Sequence, residues 1–131
     1  MKLSRPVAVV LAGHGSKTRG FDAAMGQVAA ALRRGRIFGE VCCAFLEVAE
    51  PSIPEAINRR VDRGARQVRV LPYFVFTGKH VLHDIPQIVR EASQRHANKA
   101  EIILCPYLGY HPKLVSVVKQ RIHEGKIHRR R

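Results

Sequence analysis

The sequence is short of acidic residues, aromatic rings, cysteine and long apolar runs, and each shortage closes off a class of protein. Its 131 residues hold 10 Asp and Glu against 23 Lys and Arg, a formal net charge of +13. There is no tryptophan, and the three tyrosines and five phenylalanines fall mostly inside strand-like runs. No base-stacking platform for nucleic acid can be read from them. The three cysteines, Cys42, Cys43 and Cys105, have no CxxC spacing. Neighbours on a strand point to opposite faces, so buried free thiols are expected and a metal cluster on them is not. No apolar run approaches the roughly 18 residues of a membrane span. The start, Met-Lys-Leu-Ser-Arg-Pro, leads into strand-like sequence without a signal-peptide layout. These shortages predict a cytoplasmic, single-domain chain with no membrane partner.

The basic surplus favours an anionic partner, either nucleic acid or an acidic small molecule. Part of it lies in the last residues, where 125–131 reads as a flexible basic tail after a single domain over 1–124. Other arginines cluster at Arg33, Arg34 and Arg36, and at Arg59, Arg60, Arg63, Arg66 and Arg69.

The strongest pattern is Val7-Ala8-Val9-Val10-Leu11-Ala12-Gly13-His14-Gly15-Ser16. Six apolar residues rich in valine predict a strand buried on both faces of a parallel sheet. A histidine between two glycines follows it. Ligands of open α/β sheets bind at that carboxyl edge, so His14 is either a working group or part of a phosphate-cradling loop. Phe21, Met25, Val28, Ala29 and Leu32 predict a helix over 19–34, and 40–48 reads as a second strand with Glu47 near its end. Ser52 and Glu55 form a capping-box pattern before a helix that carries Ile53, Ile57 and Val61 and stops at Gly64.

The third strand reads over 68–76, with Pro72 ending its regular pairing. His80 is expected in the following loop. Asp84 before Pro86 marks the next helix start, with Ile85, Ile88, Val89 and Ala92 buried. Residues 100–105 predict strand four. Pro112 opens a last helix with Leu114, Val117, Val118 and Ile122 inside. Four strand–helix units in succession imply an α/β fold of three layers, a four-stranded parallel sheet with helices on both faces.

In such a sheet His14, Glu47 and His80 share one edge. Two imidazoles and a carboxylate suit a borderline divalent metal, and they also form an acid–base set near neutral pH. Competing motifs are incomplete: position 18 is threonine where a dinucleotide fingerprint needs its third glycine, and neither a Walker lysine nor a Gly-x-Ser-x-Gly elbow is present. A metal carrier without catalysis, and less strongly a basic nucleic-acid-binding protein, remain as alternatives.

Gly13-His14-Gly15-Ser16, Ala44-Phe45-Leu46-Glu47 running into Glu50-Pro51-Ser52-Ile53, Leu71-Pro72-Tyr73-Phe74, and Gly78-Lys79-His80 with Asp84-Ile85-Pro86 resemble the small single-domain class II tetrapyrrole chelatases. These are the sirohydrochlorin chelatases of the CbiX type, and the likeness extends over about residues 7–122. The resemblance implies the chelatase-like α/β fold and insertion of Co2+, Ni2+ or Fe2+ into sirohydrochlorin, with loss of two pyrrole protons. His14 and His80 would hold the metal and handle protons, assisted by Glu47. His83 is a candidate extra ligand, and Gly13, Gly15 and Ser16 would form the loop of the substrate cleft, the glycines clearing room for the macrocycle. The metal is substrate, no organic cofactor is implied, and the products would serve cobalamin or sirohaem biosynthesis. By analogy the chain pairs as a homodimer around a cleft between subunits, with no specific nucleic acid. The arginines are expected to form an electropositive rim for the carboxylates of the tetrapyrrole.

Overall fold

The computed structural model describes residues 6–128. Strands β1 (Val7–Gly13), β2 (Glu40–Phe45), β3 (Gln67–Pro72) and β4 (Glu101–Leu104) alternate with helices α1 (Ala23–Arg34), α2 (Ile53–Asp62), α3 (Ile85–Arg95) and α4 (Pro112–His123). All pairings are parallel, in the order β2-β1-β3-β4. Every residue of β1 is buried, as its unbroken apolar run requires of a strand covered on both faces.

Alternation along β1 then assigns the two faces. Ala8, Val10 and Ala12 pack with Ile53, Ile57, Val68, Val70, Ile85 and Val89 beneath α2 and α3. Val9 and Leu11 pack with Met25, Ala29, Val41 and Phe45 beneath α1. The result is the expected three-layer α/β fold. Cys42 and Cys43 fall on opposite faces of β2, as their adjacency demands. All three cysteines are free and half-buried, and burial pushes each thiol above its ordinary range.

Local signals explain most element boundaries. Ser52 Oγ accepts from the Glu55 N–H at 3.2 Å, and Gly64, with φ of 99°, lets the chain leave α2. Pairing of β3 with β1 ends at Pro72.

Three expectations need correction. The first helix begins at Ala23, not at residue 19, because Gly20 at φ 78° turns the chain first. Phe21 lies outside it with its ring edge-on to Phe45 at 5.2 Å, and Val28 faces solvent. The second strand stops at Phe45 because the chain turns through residues 46–49. The last helix has no buried residue at all: Ile122 is 71% exposed, and Val117 and Val118 are exposed too. Its apolar stripe is real, but periodicity says only which residues share a face, not what covers that face.

On the α1 side of the sheet, Arg69, Leu71 and Ile103 are only half-buried, because α1 packs over β1 and β2. No described helix is long and apolar enough to cross a membrane. Of the expected domain and tail, residues 1–5 and 129–131 lie outside the described residues.

Candidate active site

The site is assembled by three chain segments leaving the same edge of the sheet. β1 delivers His14. The segment after β2 crosses it, with the Leu46 N–H donating to the Gly13 carbonyl at 2.9 Å and the Glu47 N–H donating to the His14 carbonyl at 3.0 Å. That crossing depends on Gly15. Its φ is 106°, and a Cβ there would fall onto the Glu47 carbonyl oxygen. Gly15 therefore makes room for the protein's own backbone, whereas clearance for a ligand was the expectation.

Gly13 lies against Met25, whose Cε would stand 3.2 Å from an added Cβ. Ser16 Oγ accepts from the Thr18 N–H at 3.0 Å, so its hydroxyl shapes the loop. Beyond Glu47 the turn is tight. The Ala49 N–H donates to the Glu47 carbonyl at 2.8 Å around Val48, whose φ is 71°. A β-branched residue in that region carries strain of about 1–3 kcal/mol.

His80 is not in a loop. It opens a π-helical turn, His80–Asp84, closed by the Ile85 N–H donating to the His80 carbonyl and continuous with α3. The wide turn sets Asp84 over His80, with Oδ2 2.8 Å from Nδ1. Asp84, expected to cap α3, makes no cap bond because it sits in helical conformation where the π-helical turn runs into α3, and its carboxylate meets the histidine instead. This partner was missed at the level of sequence; the His80-x-x-x-Asp84 spacing was the available signal.

His14, Glu47 and His80 do converge. His14 Nε2 stands 2.9 Å from Glu47 Oε1, and the rings of His14 and His80 are 4.8 Å apart between centroids, tilted by 52°. The three side chains are 47%, 57% and 38% exposed, so the cluster is open to solvent. His83 is exposed and, among the described residues, has no hydrogen bond or ion pair with this group. Nor do three His, Cys, Asp or Glu side chains among the described residues form a ready-made metal-holding group. The arrangement is two histidine–carboxylate pairs meeting ring to ring. Neutral imidazoles bind borderline divalent ions, and carboxylates behind them set their orientation. A cleft of about 230 Å³ beside them is lined by Gly13, His14, Gly15, Phe21, Phe45 and Tyr73, among others.

The CbiX family model matches residues 8–125. The chain belongs to the CbiX family. This CbiX-family chain is 33% identical over 119 residues to a sirohydrochlorin cobaltochelatase of Sulfolobus acidocaldarius, covering 91% of the chain and 92% of that protein. It is 32% identical over 120 residues to a chloroplastic sirohydrochlorin ferrochelatase of Arabidopsis thaliana, covering 92% of the chain but 53% of that protein. A sirohydrochlorin cobaltochelatase of Priestia megaterium is 31% identical over 118 residues, with 90% and 38% covered. The chain thus spans about half or less of the length of two of these relatives. Among solved structures, the sirohydrochlorin chelatase SirB of Bacillus subtilis subspecies spizizenii in complex with cobalt superposes with a TM-score of 0.81. Its identity is 25%, over 95% of this chain and 51% of that one.

One expectation about charge is overturned. The arginine clusters do not rim this site. Arg33 and Arg34 end α1, Arg59 and Arg60 end α2, and Arg66 precedes β3, all at the opposite edge of the sheet. Helices of a βαβ unit run antiparallel to its strands, so their carboxyl ends, which attract cations, lie away from the strands' carboxyl edge.

Proposed function

We propose that this CbiX-family chain is a sirohydrochlorin chelatase that inserts a divalent metal into the tetrapyrrole as two pyrrole protons leave. One observation carries the reading: His14, Glu47 and His80, from three separate chain segments, stand side by side at the open edge of the sheet. The relatives named for cobalt and iron insertion support it, and they make Co2+ and Fe2+ the first metals to test, with Ni2+ next. The histidines offer loosely held nitrogen donors suited to handing the ion on, while Glu47 and the imidazoles accept protons from the pyrrole nitrogens. No organic cofactor enters this chemistry.

The same reading includes a homodimer. The cleft beside His14 is smaller than the 300–1,000 Å³ or so that encloses a drug-sized ligand, so one copy supplies one wall for a macrocycle. An apolar groove of about 390 Å³ lies among Phe76, Tyr110, Leu114 and Val118, and Phe76 is 84% exposed. A second copy is its proposed cover, since SirB has about twice the length of this chain. Val118→Glu should then convert a dimer to a monomer in sedimentation, and an unchanged mass would remove this interface.

The activity is tested by mixing purified protein with sirohydrochlorin and Co2+ and following pigment absorbance. Multiple turnovers are expected. Stoichiometric metal binding without turnover would replace the enzyme with a metal carrier, and a specific gel shift with nucleic acid would redirect the reading altogether.

A further inference from the structure

The two histidines are not equivalent. His14 faces an acceptor at each ring nitrogen: the Gly15 carbonyl lies 3.0 Å from Nδ1, and Glu47 Oε1 lies 2.9 Å from Nε2. A carbonyl oxygen can only accept, so Nδ1 of His14 carries the hydrogen, and Nε2 is the nitrogen that stands beside the Glu47 carboxylate. His80 faces one carboxylate. Asp84 Oδ2 accepts from Nδ1–H at 2.8 Å, and among the described residues nothing engages Nε2. Metal binding requires an imidazole lone pair. His80 presents one that no side chain faces among the described residues, whereas Nε2 of His14 is faced by a carboxylate oxygen 2.9 Å away.

We propose that Asp84 is a positioning residue that holds His80 in its Nδ1–H form, so that His80 Nε2 receives the incoming divalent cation while the His14–Glu47 pair relays protons. This deepens the chelatase reading and rests on it. The His14–Glu47 pair is half-exposed, so a proton it accepts from the substrate can pass on to water. The pyrrole N–H bond breaks, its electron pair forms the nitrogen–metal bond, and its proton goes to the pair. The geometry of α3 fits the proposal. The π-helical turn runs without a break into α3, and it brings the Asp84 carboxylate against His80. Such turns recur at functional positions. With the ring centroids 4.8 Å apart, a metal at Nε2 of His80 is within reach of the relay.

The test begins without substrate. In protein labelled with 15N-histidine, at a pH where imidazoles are neutral, long-range 1H–15N spectra report which ring nitrogen of His80 carries hydrogen. Wild type should show Nδ1–H. Asp84→Ala should shift His80 toward the Nε2–H form, and Asp84→Asn, whose amide oxygen still accepts, should restore Nδ1–H. In the chelatase assay Asp84→Ala should raise KM for Co2+ by about 10–100-fold with a smaller change in kcat, and Glu47→Gln should do the reverse.

A wild-type His80 already in the Nε2–H form, or one whose form is indifferent to Asp84→Ala, would overturn the proposal even in an active enzyme. Should Asp84→Ala fail to fold, the wild-type and Asp84→Asn spectra still decide. Absence of turnover in wild type would instead sink the chelatase reading, while the His80 spectra would stand as measured.

Discussion

At one end of the sheet the strands stop and the chain leaves through loops bearing His14 and Glu47 and a π-helical turn that His80 opens. At the other end, α1, α2 and α3 finish on Arg33 and Arg34, Arg59 and Arg60, and Arg95. The first end holds two histidine–carboxylate pairs and a strained Val48. The second holds conventional surface electrostatics: Glu40 takes Arg63 at 3.0 Å and Arg60 at 3.5 Å, and Arg33 Nε donates to the Val41 carbonyl at 2.9 Å. The contrast teaches that a net charge of +13 does not locate a site. Much of that surplus complements helix ends, and the proposed chemistry sits at the edge away from those arginine clusters.

The contrast can be broken most directly through activity. His14→Ala and His80→Ala should each lower cobalt insertion by at least about 100-fold, the scale of acid–base and metal-holding groups. Arg34→Ala and Arg59→Ala should change it less than about twofold, since surface substitutions far from a site rarely matter. Arginine losses equal to the histidine losses, in the same absorbance assay, would erase the difference between the two ends.

Glycines at the two ends provide the next comparison. Gly15→Ala should cost at least about 2 kcal/mol in urea unfolding, because left-handed backbone and a displaced Glu47 carbonyl add together. Gly64→Ala, at φ 99° but with nothing within 4 Å of an added Cβ, should cost only about 1 kcal/mol. Equal costs would show that the Glu47 crossing yields easily. Glu40→Gln should then cost about 1 kcal/mol and leave turnover unchanged, since Arg60 and Arg63 lose a partly exposed partner remote from the site.

The smallest effect concerns pH. Burial, followed by the charge of Arg95, holds His96 below the ordinary imidazole range, with Asp62 opposing and Lys99 adding to the depression. The unfolded chain protonates first as pH falls, so the stability contributed by His96 is present above about pH 6.5 and is lost between that value and its lowered folded value. An NMR titration should place its midpoint below 6.5, and added salt should recover only part of the depression, because desolvation is the larger cause. Full recovery in salt would assign the shift to the arginine-rich end alone.

Much of this architecture was legible in the residues. The seven-residue interior strand, the cap at Ser52, the exit at Gly64 and the stop at Pro72 all follow from local chemistry, and they stand as expected. The meeting of His14, Glu47 and His80 was legible too, because parallel strands must end at one edge. Other features were not, for reasons of geometry. Asp84 carries the same cap-like sequence whether its carboxylate turns to its own helix or back to His80. The stripe of Leu114, Val117, Val118 and Ile122 reads the same whether a core or another molecule lies against it.

What the sequence determined alone is periodic and local: which residues alternate, which cap, which break, and therefore the order of strands and helices and the edge at which the histidines emerge. Tertiary structure decided the rest. Gly15 proved to be the crossing point for the Glu47 backbone, the arginine clusters at the ends of α1 and α2 fell at the far edge, and each histidine acquired its own carboxylate. Those outcomes depend on which segments meet in space, and contacts between segments far apart in sequence carry no periodic signature.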